Sequence, residues 1–105
     1  GFVSVGASMA GGELLTRPLR FSGRQLRLNF ATSAAGSIRV ELQRADGSPA
    51  KGFTLDDCHE LFGDTVDREV AWKGDANLSD LQGQAIRFRF QLKSADLYAM
   101  RVATA

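Results

Sequence analysis

The residues that could do chemistry are crowded into one stretch, FTLDDCHELFGDTV, residues 53–66. It holds the chain's single cysteine and single histidine, Cys58 and His59, among four carboxylates, Asp56, Asp57, Glu60 and Asp64. A cysteine nucleophile needs a base within hydrogen-bond reach and a third group to orient that base. Cys58 and His59 are adjacent, so in an extended chain their side chains point to opposite faces. The spacing therefore predicts a buried, inert Cys58 and an exposed His59. Structural zinc takes four nitrogen or sulfur ligands, and this chain supplies two. The acids are the hard oxygen ligands that calcium prefers, yet their spacing lacks the D-x-[DN]-x-[DN]-G order of an EF-hand loop. The alternative is a solvated acidic turn that pairs with arginines.

Glycoside hydrolysis needs two carboxyl groups about 5–9.5 Å apart across one sugar. With twelve Asp and Glu in the chain, some pair meets that spacing by chance, and nothing singles one out. There is no GxSxG, Walker loop, GxGxxG or HExxH. The expectation is a domain without catalytic machinery of its own.

The elements that would position these residues read as strands. In QLRLNFAT (25–32), SIRVELQRA (37–45) and AIRFRFQLK (85–93) apolar and polar residues alternate with period two, the mark of antiparallel strands with one buried face. Weaker strands fit 2–6, 13–20, 66–73 and 97–103. Turn signals separate them: GG at 11–12, SG at 22–23, AAG at 34–36, DGSP at 46–49, GD at 63–64 and at 74–75, and QG at 82–83. ADG (45–47) reads as a tight reversal. NLSDLQG (77–83) is the one helical candidate, about one turn long and stopped by Gly83. Seven or eight short strands predict an all-β fold, an antiparallel β-sandwich of jelly-roll type, in one domain over residues 1–105. FTLDDCHELFGDTV becomes a long connection with Phe53 and Leu55 tucked inward.

Composition narrows the partners. A net charge of +1 gives no field for nucleic acid or an acidic membrane surface. No apolar run reaches the roughly 18 residues that would span a bilayer. GFVSVGASMAGG lacks the basic start and long apolar core of a signal peptide, and the absence of an initiating methionine suggests a piece of a longer protein. Arg27, Arg39, Glu41, Arg87, Arg89 and Gln91 fall on the polar phase of the strong strands. They would line one sheet face, either solvated and laced with Arg–Glu pairs or docked on a partner domain. Among the aromatic residues, Phe30, Phe88 and Phe90 take the apolar phase. Trp72 shares phase with Val70, and Tyr98 with Met100 and Val102, so both lean toward the core. Phe62, in the LFGD turn, is the best candidate for an exposed ring.

The run GGELLTRPLRFSGRQLRLNFATSAAGSIRVELQRADGSPAKGF, followed by VAWKG and LSDLQGQAIRFRFQLKSADLYAMRV, resembles a C-terminal β-sandwich module of bacterial glycoside-hydrolase-like proteins, notably β-propeller enzymes of the glycoside hydrolase family 32 type. ADLYAMRV (95–102) is similar to the last strand of jelly-roll, galactose-binding-like carbohydrate modules. That likeness implies Asp96 as a ligand of a structural calcium ion, with Glu13 the one N-terminal acid that could join it; no other cofactor is implied. It also implies a non-catalytic accessory role and an extracellular or periplasmic setting. The expected function is carbohydrate binding through Asp56, Asp57, His59, Phe62 and Asp64, with Trp72 and Tyr98 as further candidates. The partners would be a glycan or polysaccharide and a parent catalytic domain in cis. The second expectation is a structural domain that braces the parent glycoside hydrolase and binds no glycan.

Overall fold

A computed structural model describes residues 2–9, 12–75 and 77–103. The chain forms β1 (Phe2–Met9), β2 (Gly12–Leu15), β3 (Gln25–Arg44), β4 (Asp64–Val70) and β5 (Ile86–Ala103), with short 3₁₀ turns at Lys73–Asp75 and Leu78–Leu81. All five strands belong to one antiparallel sheet in the order β1-β5-β3-β4, with β2 also on β5. The all-β expectation holds. The count of strands does not, because two pairs of expected strands are each one long strand: 25–32 and 37–45 join in β3, and 85–93 and 97–103 join in β5.

The junctions are bulges. Thr32 pairs with Ala95 and Ser37 with Lys93, so Ser33–Gly36 face Ser94 alone. AAG at 34–36 is thus an insertion within a strand and does not reverse the chain. Ser94 takes a positive φ of 44° there, and the β3 backbone comes so close that a Cβ on Gly36 would clash with Ser94 O and lie 2.6 Å from Lys93 O. A second bulge follows: Asn29 pairs with Ala99 and Phe30 with Leu97, which leaves Tyr98 unmatched. Bulges bend a strand and increase its twist.

The bends let one apolar face enclose one core. Leu26, Leu28 and Phe30 from the first half of β3 and Ile38, Val40 and Leu42 from its second half join a single buried cluster, with Ile86, Phe88, Phe90, Leu92, Leu97 and Met100 of β5. Phe53 and Leu61 enter it from the 53–66 connection, while Leu55 is only half-buried.

The remaining turns follow local chemistry. Gly47 N donates to Arg44 O, Asp46 Oδ1 accepts from Ser48 N, and Gln43 bridges to Pro49, so ADG reverses the chain. Asn77 caps the second 3₁₀ turn through its side chain to Ser79 N, and Leu78 and Leu81 bury its inner face. Of the GG pair at 11–12, Gly11 lies outside the described residues.

Gly36→Ala forces a methyl group into backbone carbonyls that cannot swing away. It is expected to cost about 2–3 kcal/mol, read as a lower urea midpoint with an unchanged slope.

Candidate functional site

The connection between β3 and β4 is built around one backbone position, Val40. Successive β3 residues alternate in which neighbouring strand their N–H and C=O address, and Ile38, Val40 and Leu42 address the side away from β5. Ile38 exchanges two hydrogen bonds with Leu61, and Leu42 donates to Phe53 O and accepts from Ala50 N. Between them no strand among the described residues reaches Val40, and two side chains take its place. Val40 N donates to Cys58 Sγ at 3.3 Å, and Val40 O accepts from Trp72 Nε1 at 3.0 Å. A buried backbone group left unbonded is costly, so this substitution for a strand is a structural requirement. Cys58 and Trp72 bridge to each other, and the Trp72 ring stands edge-on to Phe53 with centroids 5.1 Å apart.

This arrangement settles what Cys58 does. The thiol is buried, and burial pushes its pKa up despite the opposing Val40 hydrogen bond and the Arg39 charge. It holds the Val40 amide, and its raised pKa keeps it in the unreactive thiol form. His59 is exposed, with its backbone N bonded to Ala71 O. Trp72, at 3 % exposure, has no face to offer a ligand.

The other candidates divide between structure and surface. Asp57 belongs to the turn at 54–57: Thr54 Oγ1 donates to Asp57 Oδ2 and accepts from Asp57 N. Asp56 is exposed on the same turn. Phe62 is 63 % exposed. Its turn is fixed by Thr32, whose N donates to Gly63 O and whose Oγ1 accepts from Gly63 N at 2.8 Å. Exposed His59, Glu60 and Asp64 stand beside it in sequence, and Arg39 Nε lies 3.9 Å from Glu60 Oε2. Tyr98 departs from expectation. The bulge shifts the phase of β5, so Leu97 and Met100 point inward and Tyr98 is 46 % exposed. Asp64 and Asp96 both pair with Ala31, so Phe62 and Tyr98 are separated by two strand spacings and four residues of rise, roughly 16 Å. They do not form one platform.

The polar sheet face is ordered by the β3–β5 register. Arg39 faces Gln91, Glu41 faces Arg89 and Gln43 faces Arg87, whereas Arg27 lies beyond the bend in a row with Arg101 and Glu69. β2 adds Glu13 opposite Gln91 and Leu15, 50 % exposed, opposite Arg89. Arg89 forks onto both Glu13 oxygens, with Nη2 2.8 Å from Oε1, and donates through Nη1 to Glu41 Oε2 at 3.0 Å. Gln43 Nε2 also donates to Glu41, which is 5 % exposed. Glu13 was not among the sequence candidates for this face, because its partner is fixed by a β2–β5 register that local spacing does not reveal. Arg89 holds the Glu13 carboxyl below the usual range, and Glu13 and then Glu41 hold Arg89 protonated well above its ordinary value.

Glu13 and Asp96 do not meet. Glu13 is level with Gln91, while Asp96 pairs with Ser8, five residues along β5 and about 16 Å away. Among the described residues no three His, Cys, Asp or Glu side chains gather as a metal site. The fold and surface thus define an all-β domain with one polar sheet face and an exposed aromatic turn at its margin. No protein family model, no curated protein and no solved structure matches the chain.

Cys58→Ala should cost about 1–3 kcal/mol, because it strands the Val40 amide. In the native wild type the thiol should react with a disulfide reagent only as fast as the protein opens. Arg89→Met leaves Glu41 buried without its cation and should cost about 3 kcal/mol, far more than Glu13→Gln. A carboxylate depressed in the fold stabilises it above the unfolded pKa, and that stability is lost as pH falls through the folded value. Melting temperature should therefore drop on acidification below about 4.5, and Glu13→Gln should remove part of that drop.

Proposed function

We propose that this chain is a non-catalytic carbohydrate-binding module, an accessory domain of a bacterial carbohydrate-active enzyme. The observation that carries the reading is the exposed Phe62 ring on a turn pinned by Thr32, with exposed His59, Glu60 and Asp64 close to it in sequence. A sugar offers hydroxyls that need donors and acceptors and a C–H face that needs an apolar surface, and this turn carries exposed residues of both kinds. Asp56 extends the polar rim, Asp57 and Trp72 serve the scaffold beneath it, and Tyr98 is a separate contact for a longer chain of sugars. The bent sheet closes as a two-layered sandwich of jelly-roll type in this reading. The parent protein is glycoside-hydrolase-like, and the setting is extracellular or periplasmic. No bond-breaking step is assigned to this chain.

A bracing role is the second reading, favoured by the polar face on which Leu15 is half exposed beside the Glu13–Arg89–Glu41 network. Such a face could seat on a parent catalytic domain while the domain binds no glycan.

Affinity electrophoresis through a panel of soluble polysaccharides tests the first reading. Retardation is expected on at least one, with Kd of about 10 μM to 1 mM for a short glycan. It should be lost in Phe62→Ala and kept in Leu15→Ser. Absence of retardation on every polysaccharide would favour bracing, provided that removing this domain lowers the melting temperature of the parent protein. Turnover of a glycoside by the purified domain would defeat both readings.

A further inference from the structure

Of the two asparagines in the chain, Asn29 and Asn77, only Asn77 opens an N-x-S tripeptide, Asn77-Leu78-Ser79. That order, with no proline in the middle, is the acceptor signal for N-glycosylation of a chain outside the cytoplasm. Such tripeptides are common in sequences, and what distinguishes this one is how the fold uses the asparagine. Asn77 lies in extended backbone, φ −124° and ψ 133°, at the start of the second 3₁₀ turn. Its Oδ1 accepts from Ser79 N at 2.9 Å, and its backbone carbonyl accepts from Asp80 N at 3.0 Å. The side-chain amide is planar, so a hydrogen bond made by Oδ1 leaves Nδ2 on the opposite side. Nδ2 donates to none of the described residues. Asn77 is half-buried, and exposed Asp80 follows in the same turn.

A glycan is joined to Nδ2 and leaves Oδ1 unchanged. The capping bond that starts the turn therefore survives the modification, since it uses Oδ1 alone. Ser79 enters that bond through its backbone N, so the hydroxyl that completes the acceptor signal has no share in the cap. Leu78 and Leu81 are buried and root the turn in the core. Leu78 has to be out of the core while an enzyme binds the tripeptide, so attachment precedes closure of the turn. The fold then closes on Leu78 and keeps the asparagine amide at its margin.

We propose that Asn77 is a glycan acceptor, modified at Nδ2 during export and carried on the folded domain with its turn intact. In the transfer Nδ2 attacks the anomeric carbon of an oligosaccharide linked to polyprenyl diphosphate. The bond from that carbon to the phosphate oxygen breaks, Nδ2 loses one proton and polyprenyl diphosphate leaves. The proposal rests on the extracellular or periplasmic setting given above and not on glycan binding at Phe62. In the test the chain is sent by an added leader through a eukaryotic secretory pathway, beside a secreted control protein with an established N-x-T acceptor. The leader supplies the setting, so failure bears on Asn77 alone. Intact mass should show one glycan, which peptide N-glycosidase removes with conversion of the Asn77 amide to a carboxylate. Ser79→Ala keeps the backbone N of the cap and should lose the glycan, whereas Ser79→Thr should keep it. Asn77→Asp retains a capping oxygen and should be secreted folded and unmodified. The glycosylated chain should melt within about 4 °C of Asn77→Asp. An unmodified chain secreted beside a modified control would overturn the proposal. So would a glycan that persists in Ser79→Ala, or a glycosylated chain that melts more than about 4 °C below Asn77→Asp, because the turn would then be lost.

Discussion

The structure depends on how β3 satisfies its backbone on the side away from β5. A strand that has lost its neighbour exposes N–H and C=O groups, and in a buried position each costs free energy comparable to a lost hydrogen bond. Here β4 covers only the first half of β3, from Leu26 to Ala31. Beyond the bend the 49–61 segment touches β3 at Gln43, Leu42 and Ile38, and the gap at Val40 is filled by the Cys58 thiol and the Trp72 indole. That closure pulls the middle of FTLDDCHELFGDTV inward. As a consequence Asp56, Glu60 and Asp64, the histidine and Phe62 are left on the outside. The segment's buried side chains hold the edge, and its exposed ones form the surface available for recognition.

The same constraint explains why several of the chemically rich residues of this stretch serve the scaffold. Cys58 is buried and bonded to a backbone amide, and burial holds its thiol protonated, while Asp57 caps its own turn. On the sheet face, charged groups are arranged against each other: Arg89 is bound by Glu13 and Glu41 at once. A buried carboxylate such as Glu41 is tolerated because it accepts hydrogen bonds from both Arg89 and Gln43. The network ties β2 to β5 and β5 to β3.

Much of this was legible in the sequence, and what was not has a physical reason. Alternation identified both halves of β3 and the first half of β5, and it assigned Phe30, Phe88 and Phe90 to the core, where they are fully buried. It could not show that the halves are continuous, because AAG and Ser94 carry the same residue types as a turn. The difference lies in the partner strand, which passes Ser33–Gly36 with Ser94 alone between its paired residues. Tyr98 was misplaced for the related reason that a bulge changes phase without changing composition. Glu13 joined its arginine only through a register between residues 76 apart in sequence. The inward turn of Cys58 followed from its type, but its bond to Val40 needed the missing strand to be seen.

Amide hydrogen exchange at Val40 tests the central claim most directly. If Cys58 and Trp72 close the β3 edge, the Val40 amide exchanges only through global opening, as slowly as Ile38 and Leu42, and Cys58→Ala accelerates Val40 well ahead of those neighbours. Rapid exchange at Val40 in the wild type, with Ile38 and Leu42 protected, would mean that the edge is open and that the connection is held by something else.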